Sequence, residues 1–298
     1  MIFSKKISKV ISLANQQDGY VILEDFLRPT ECDEMLEAGL EFTKNLPSKE
    51  ARVKFTTVNA EEEQLKEDYF LKSNDDIRYF FEDAALGSDG ELTVDPSISL
   101  NKVGHALHLQ HPLFRCYTYC ERVKTVCRQL GFKEPAVVQS MYIYKNPGIG
   151  GEVIPHQDIT YLHTEPVAPI GFWIALEDAT VQNGCLWMVR GSHKSGVHRR
   201  LVRNPDKNSK ESIIYDRPAP VYPQSSFTAV PVSKGTCILL HGNVVHKSAH
   251  NKSNKSRHAY TFHVVEKQNN NYSEDNWLQE GEKAPFVNVY NTPQMVSS

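Results

Sequence analysis

Two histidines and an aspartate carry the first chemical possibility. His156 and Asp158 stand two apart in Pro155-His156-Gln157-Asp158. Alternate residues of extended backbone share a face, so both side chains can turn to one ion while Gln157 faces away. By itself H-x-D is weak, because a chain with 12 histidines and 36 acidic residues meets it by coincidence. His246, in the β-rich run from His241 to Ser248, offers a third ligand. Two histidines and one carboxylate leave three coordination positions open, which suits non-haem iron(II). A closed four-ligand zinc site leaves none. Arg257 follows His246 by 11 residues. A hairpin with His246 on one strand and Arg257 on the next would place a guanidinium near the ion. There it can grip the distal carboxylate of 2-oxoglutarate in a two-pronged fork while the 2-oxo acid end chelates the metal.

Rival sites are weaker. His105, His108 and His111 lack a cysteine or glutamate companion in any zinc spacing, which favours a local structural role. His246 and His250 are four apart, but Lys247 stands where a zinc protease needs glutamate, and Val244-Val245 favours strand. His241 closes the apolar run Cys237 to Leu240 and reads as a packing or ligand-supporting residue. Gly148, Gly150 and Gly151 make a turn, since no Lys-Ser/Thr pair follows them as in a phosphate loop. Ser192 sits in no nucleophile elbow. The basic run Lys194 to Arg203 reads as solvated surface. Its functional alternative is contact with an acidic or phosphorylated part of a substrate, such as a coenzyme A tail.

Something must hold these side chains in place. From residue 136 onward, seven short β-rich runs follow one another: 136–145, 169–179, 184–190, 227–232, 235–242, 243–250 and 258–266, separated by Gly, Pro, Asn and Ser turns. Such a series predicts an antiparallel barrel or jelly roll. Ahead of it, Gly19 to Leu27 reads as a short strand. Pro29 and the capping pattern Thr30-x-x-Asp33 then open a helix through about Leu40. Residues 46–101 are polar and irregular apart from Ile77 to Phe81 and a hairpin signal at Asp89-Gly90, and read as substrate-facing loops. Pro112 to Leu130, with Leu113, Cys116, Tyr117, Cys120, Val123, Val126 and Cys127 at helical spacing and Gly131 as stop, predicts one long amphipathic helix on a sheet. The expected class is mainly β with flanking α-helices, a double-stranded β-helix core. We expect one domain over 1–298, with helices and loops to about 135, the jelly roll over about 136–268 and a tail over about 269–298.

Several further segments carry a family resemblance. They are Asp18 to Leu27, Asn101 to His108, His156 to Asp158, Gly171 to Asp178, Asn183 to Trp187, Gly191-Ser192-His193, the His246 to Arg257 block and Asn276 to Gln279. Together they resemble the phytanoyl-CoA dioxygenase family of 2-oxoglutarate oxygenases over almost the whole length. The resemblance implies a jelly roll binding iron(II) through His156, Asp158 and His246, with 2-oxoglutarate held by Arg257. It also implies that Lys102, Met141 and Trp173 contact the co-substrate, and Gln157 is grouped with them. Lys102 has its own rationale as a second cation for a dicarboxylate. Met141 and Trp173 by themselves read as strand core. Arg190 stands where the family usually has proline.

The implied reaction couples oxidative decarboxylation of 2-oxoglutarate, to succinate and carbon dioxide, with hydroxylation of a small molecule, an acyl-CoA or lipid. Dioxygen is the second co-substrate and ascorbate a candidate reductant. Halogenation is disfavoured because Asp158 fills the position a halide would need. The rivals are a cupin-like lyase or isomerase that uses the metal without 2-oxoglutarate, and a non-catalytic binding protein on the same scaffold. Substrate choice is assigned to the loops of residues 46–101 and 198–226.

Composition is compatible with all of this. At 298 residues, 40% hydrophobic and 23% charged, the chain can bury a large core without metal or disulfide staples, so a metal would be functional. A formal charge of -3 disfavours nucleic acid. No apolar run reaches the ~20 residues a membrane span needs. The first residues read as a short amphipathic helix rather than a signal peptide, and the last four lack the peroxisomal Ser-Lys-Leu. Cytoplasm or nucleus is expected, with the six cysteines reduced.

Overall fold

The computed structural model describes residues 17–55, 68–71 and 73–291. Most of the expected N-terminal helix and the C-terminal tetrapeptide lie outside these residues. Within them the β-strands are β1 Tyr20–Leu23, β2 Val53–Phe55, β3 Ile77–Glu82, β4 Leu100–His105, β5 Pro135–Ile143, β6 Val153–His156, β7 Thr164–Glu165, β8 Ile170–Ala175 and β9 Leu186–Met188. They continue as β10 Leu201–Arg203, β11 Ile213–Tyr215, β12 Thr228–Val230, β13 Cys237–His241, β14 His246–Ser248, β15 Ala259–Glu266, β16 Asn271–Tyr272 and β17 Val287–Asn288. Each of the seven runs expected after residue 136 contains one strand.

A nine-stranded sheet runs in the order β1-β13-β8-β15-β5-β4-β3-β2, with β17 added beside β5, and a four-stranded sheet runs β12-β9-β14-β6. Neighbours are antiparallel except β2 and β3. The region before residue 135 is therefore more than helices and loops, because β1 to β4 extend the large sheet at both ends. Its irregular stretch hides β2 and β3, while Gly87 to Glu91 forms the expected tight turn, Gly87 N–H donating to Glu91 O at 2.9 Å.

Both faces of the large sheet are buried, and alternation decides what each carries. Tyr142, Tyr260, Phe262 and Phe172 point outward into a core completed by helices. Phe172 and Phe262 stack at 4.7 Å. The opposite face presents Trp173, Ala175, Ile238 and Leu240, which pack against Leu186, Met188 and Val230 of the small sheet. The two sheets thus enclose an interior whose own lining is only partly apolar.

The helices are α1 Pro29–Lys44, α2 Asp68–Leu71, α3 Leu107–Gln110, α4 Pro112–Thr118 and α5 Glu121–Gln129. α1 begins one residue before the expected cap: Pro29 is its first residue, and Glu31 accepts the Arg28 backbone N–H at 2.7 Å. The long helix expected over Pro112 to Leu130 is broken at Tyr119 and Cys120. Thr118 Oγ1 bonds back to Phe114 O at 2.6 Å and meets Tyr260 OH at 2.6 Å, tying the end of α4 to the sheet. Cys120 then adopts extended backbone and α5 starts afresh, with Val123, Val126 and Cys127 turned to the core. No helix among the described residues is long and apolar enough to cross a membrane.

Candidate metal centre

Adjacent strands of the small sheet bring the two histidines together. β6 pairs with β14 so that His156 lies opposite His246, with ring centroids 4.2 Å apart. The His156 Nδ1 lies 2.9 Å from Ile154 O, and the His246 Nδ1 lies 3.1 Å from Val244 O. A carbonyl only accepts, so each Nδ1 carries the proton and each Nε2 keeps a lone pair for a metal. Burial, reinforced by His156, pushes the His246 imidazole down to about 4, so it is neutral as a ligand must be.

Asp158 completes the set from the turn after β6. Strand geometry ends at His156, but Gln157 remains extended, so Asp158 falls on the same side as His156. Its Oδ1 lies 3.6 Å from His156 Nε2 and 3.7 Å from His246 Nε2. The ligand atoms of all three lie within 4.8 Å of one another, and no other such group of His, Cys, Asp or Glu occurs among the described residues. Burial alone would raise the Asp158 carboxyl; the imidazoles of His246 and His263 packed against it outweigh that and hold it well below the usual range. Gly171 makes room, since a Cβ there would lie 3.1 Å from Asp158 Oδ2.

His263 is a site residue that the sequence reading passed over. Its Nε2 lies 3.2 Å from Asp158 Oδ2, and its Nδ1 lies 3.2 Å from Gln139 Nε2. With the Gln139 amide donating to Nδ1, the imidazole proton sits on Nε2, on the side of Asp158. A signal was present: His263 lies on β15 at even spacing from Arg257, so period two puts both on the inner face. Gln157 behaves differently from its neighbours. Its amide donates to Gly196 O and Asn243 O at 2.9 and 2.7 Å and accepts from His198 N–H at 2.8 Å. It bolts two loops behind the ligands and does not line the cavity.

The cavity runs from the three ligands toward Arg257. Met141, Thr261 and Trp173 stand abreast on β5, β15 and β8 and form one wall. Lys102, opposite Ile143 on β4, closes a second side beside the Phe55 ring, 3.5 Å from its ammonium. Arg257 lies just before β15 and is 1% exposed. Its Nε donates to Gly184 O at 3.1 Å and its guanidinium lies 5.2 Å from the Trp173 ring. Its buried Nη1 has no hydrogen-bond partner. Burial lowers Arg257 to about 10 and Lys102 to about 7. Two cations held out of water, one with a donor left over, are costly until an anion joins them. A dicarboxylate reaching from the metal fits that need.

β14 and β15 are not a hairpin, contrary to expectation. They belong to different sheets, and residues 249–258 cross between them. Asn251, fully buried, pins that crossing through its amide to Lys145 O and Lys255 O at 2.9 and 2.8 Å. Tyr161, Leu201, Ile213, Tyr215 and Trp277 add an apolar and aromatic vestibule to the same cavity. The basic run beside it is divided: Lys194 and Arg203 are exposed, as expected of solvated surface, while Arg199 is buried and Arg200 half-buried. Arg199 stacks on Tyr215 at 3.9 Å, Arg200 donates to Ser273 Oγ at 2.7 Å, and Arg203 donates to Asn276 O and Trp277 O. Arg190, the departure from the family pattern, pairs with Asp18 at 3.0 Å. His105 meets Ser73 at 2.7 Å, His108 meets Ser140 at 2.8 Å, and His241 packs on His193, all in local contacts apart from the three ligands.

Comparison with known proteins agrees with this geometry. Residues 15–259 match the phytanoyl-CoA dioxygenase (PhyH) family. The chain is 44% identical to phytanoyl-CoA dioxygenase domain-containing protein 1 of Danio rerio and 46% identical to that of Bos taurus, each over 92% of this chain and 96% of the relative. Among solved structures it is similar to the non-heme alpha ketoglutarate dependent epimerase SnoN from nogalamycin biosynthesis. That likeness has a TM-score of 0.60 at 14% identity, covering 94% of this chain and 98% of the other. At that identity the likeness speaks for the fold alone.

Proposed function

The chain belongs to the phytanoyl-CoA dioxygenase family, and from that premise we propose that it is an iron(II)- and 2-oxoglutarate-dependent oxygenase that hydroxylates a small molecule. The observation that carries this is the pairing of a His-Asp-His cluster with a buried arginine whose Nη1 lacks a partner. A metal site alone suits many reactions. A metal site facing a buried, unsatisfied guanidinium suits a chelating diacid.

In this reading His156, Asp158 and His246 hold the iron, and Arg257 takes the distal carboxylate of 2-oxoglutarate. Lys102 adds a second cation, and Met141 and Trp173 flank the co-substrate. Bound together, iron, 2-oxoglutarate and dioxygen supply an oxidant able to remove hydrogen from an unactivated carbon, with succinate and carbon dioxide as the co-products. The chain's own part is to orient and to shield. His263 and Gln139 fix the Asp158 carboxylate, and the two backbone carbonyls fix the histidine tautomers. Trp173, Leu240 and Leu186 keep water from the interior. The vestibule of Tyr161, Leu201, Ile213, Tyr215 and Trp277 favours a substrate with an apolar portion, such as an acyl chain or lipid. Arg199 and Arg200, already engaged with Tyr215 and Ser273, give less support to phosphate recognition by that run.

Calorimetric titration of 2-oxoglutarate into protein loaded with manganese(II), an inert surrogate, tests the clamp. Arg257→Ala is expected to weaken 2-oxoglutarate by about 30-fold or more, since truncating one member of a buried charge pair costs about 2–5 kcal/mol. Equal affinity in variant and wild type would sink the assignment. Succinate release, screened across acyl-CoA, free lipid and peptide pools, separates hydroxylation from lyase chemistry.

A further inference from the structure

Two charged residues line the far end of the cavity and have no part in the scheme above. Lys145, 2% exposed, donates from Nζ to Gly151 O at 2.5 Å. Glu82, 3% exposed, accepts the Gly151 N–H at 3.1 and 3.2 Å. The pair therefore grips one residue by both sides of its backbone, and that residue leads directly into β6, the strand that ends in His156.

Lys145 also reaches the arginine. Its carbonyl accepts the Arg257 backbone N–H at 3.2 Å. Its stem passes the Gly184 peptide so closely that a Cβ on Gly184 would lie 3.2 Å from Lys145 Cε, and Gly184 O is the acceptor for Arg257 Nε. One lysine thus touches the lead-in to the metal strand with its ammonium, and with its stem and carbonyl the residues that seat the guanidinium. Burial lowers the Lys145 ammonium to about 7, with Arg257 adding to the effect and Glu82 opposing it; burial raises the Glu82 carboxyl to about 7. Neither charge is cheap there without the other.

We propose that Lys145, with Glu82 as its counter-charge, is a positioning residue that fixes the separation between the metal strand and Arg257, and so the length of 2-oxo diacid the site accepts. This rests on the oxygenase reading and deepens it. A clamp at fixed distance from a metal measures its ligand, and a misplacement of an ångström is felt as a change in preference rather than a loss of fold.

The test compares 2-oxoglutarate with 2-oxoadipate, one methylene longer, by calorimetry on the full chain loaded with manganese(II). One methylene is worth about 10–200-fold in a shaped site, so the wild type is expected to prefer 2-oxoglutarate by about 100-fold. Lys145→Met keeps the stem and removes the ammonium, and is expected to cut the preference to about tenfold or less while manganese affinity stays within about twofold. A preference unchanged in Lys145→Met overturns the inference, because a merely stabilising lysine would lower the melting temperature and leave ligand length unread. Should that variant not fold, Glu82→Gln keeps an oxygen for Gly151 N–H and removes the counter-charge. The same erosion there supports the inference, and an unchanged preference overturns it. Wild-type protein that binds neither diacid would sink the oxygenase reading itself, a result distinct from an unchanged preference.

Discussion

The two faces of the β8, β15 and β5 layer are built from alternate residues of the same strands, equally removed from water, yet they differ in how their polar atoms are satisfied. On the outer face the hydroxyls of Tyr142, Tyr144 and Tyr260 find partners within the protein. Tyr142 OH meets His258 Nδ1 at 2.8 Å, Tyr144 OH donates to Gly39 O at 2.7 Å, and Tyr260 OH meets Thr118 Oγ1 at 2.6 Å. On the inner face the Arg257 guanidinium is left with an unused donor and three ligand atoms converge on one point. Burial does not separate core from site here. A guanidinium donor left over in the same cavity as three convergent ligand atoms does, because a native protein seldom leaves a buried cation unmatched without a use for it.

That contrast can be broken by substitutions on each face. The largest effect on ligand binding is expected from Asp158→Ala on the inner side. Loss of a direct ligand should weaken manganese(II) by more than the roughly 10–100-fold typical of a supporting residue, read by titration, and abolish succinate formation. The fold should survive, since no metal is needed to build a core of this size. Phe262→Ala on the outer side is expected to do the opposite. It should cost about 3–5 kcal/mol of unfolding free energy in a denaturant titration, while the folded fraction keeps wild-type manganese affinity. Equal effects of these two variants on both readouts would remove the distinction between the faces. His263→Gln is the mildest and sharpens it: manganese affinity should fall about tenfold, as expected when a residue acts on a ligand rather than on the metal. No change would mean that Asp158 needs no second support.

How much of this was legible beforehand depended on the length of the pattern involved. The seven runs after residue 136 that were read as strands are apolar and bounded by turn residues, each readable by itself, whereas β7, β10, β11, β16 and β17, two or three residues long, were not read as strands. β6 was not, because four residues including Pro155 give period two almost nothing to act on, although the strand carries a metal ligand. β2 and β3 were missed as strands because the first is only three residues long and the second is one short apolar run in an otherwise polar, irregular stretch. The break between α4 and α5 escaped because no glycine or proline marks it. It coincides with the contact of Thr118 with Tyr260 on the sheet, a partner that only the fold supplies. At the site, His156, Asp158, His246 and Arg257 were readable from spacing, but the hairpin imagined between the last two was not the means, since they belong to different sheets. His263 was hidden in a run read only for its hydrophobicity. The Glu82–Lys145 pair, which meets at Gly151, had no sequence signal at all, being 63 positions apart on elements that only the fold brings together.

The crossing from β14 to β15 has a consequence for affinity. Under the proposed assignment, metal at His246 and diacid at Arg257 would close a ring with the intervening chain. Closing a ring through a slack segment costs loop entropy, which is taken from the free energy of binding. Here the segment is held by Asn251 through bonds to the protein's own backbone. The entropy of closure is spent at folding, and the diacid meets a ring that lacks only itself.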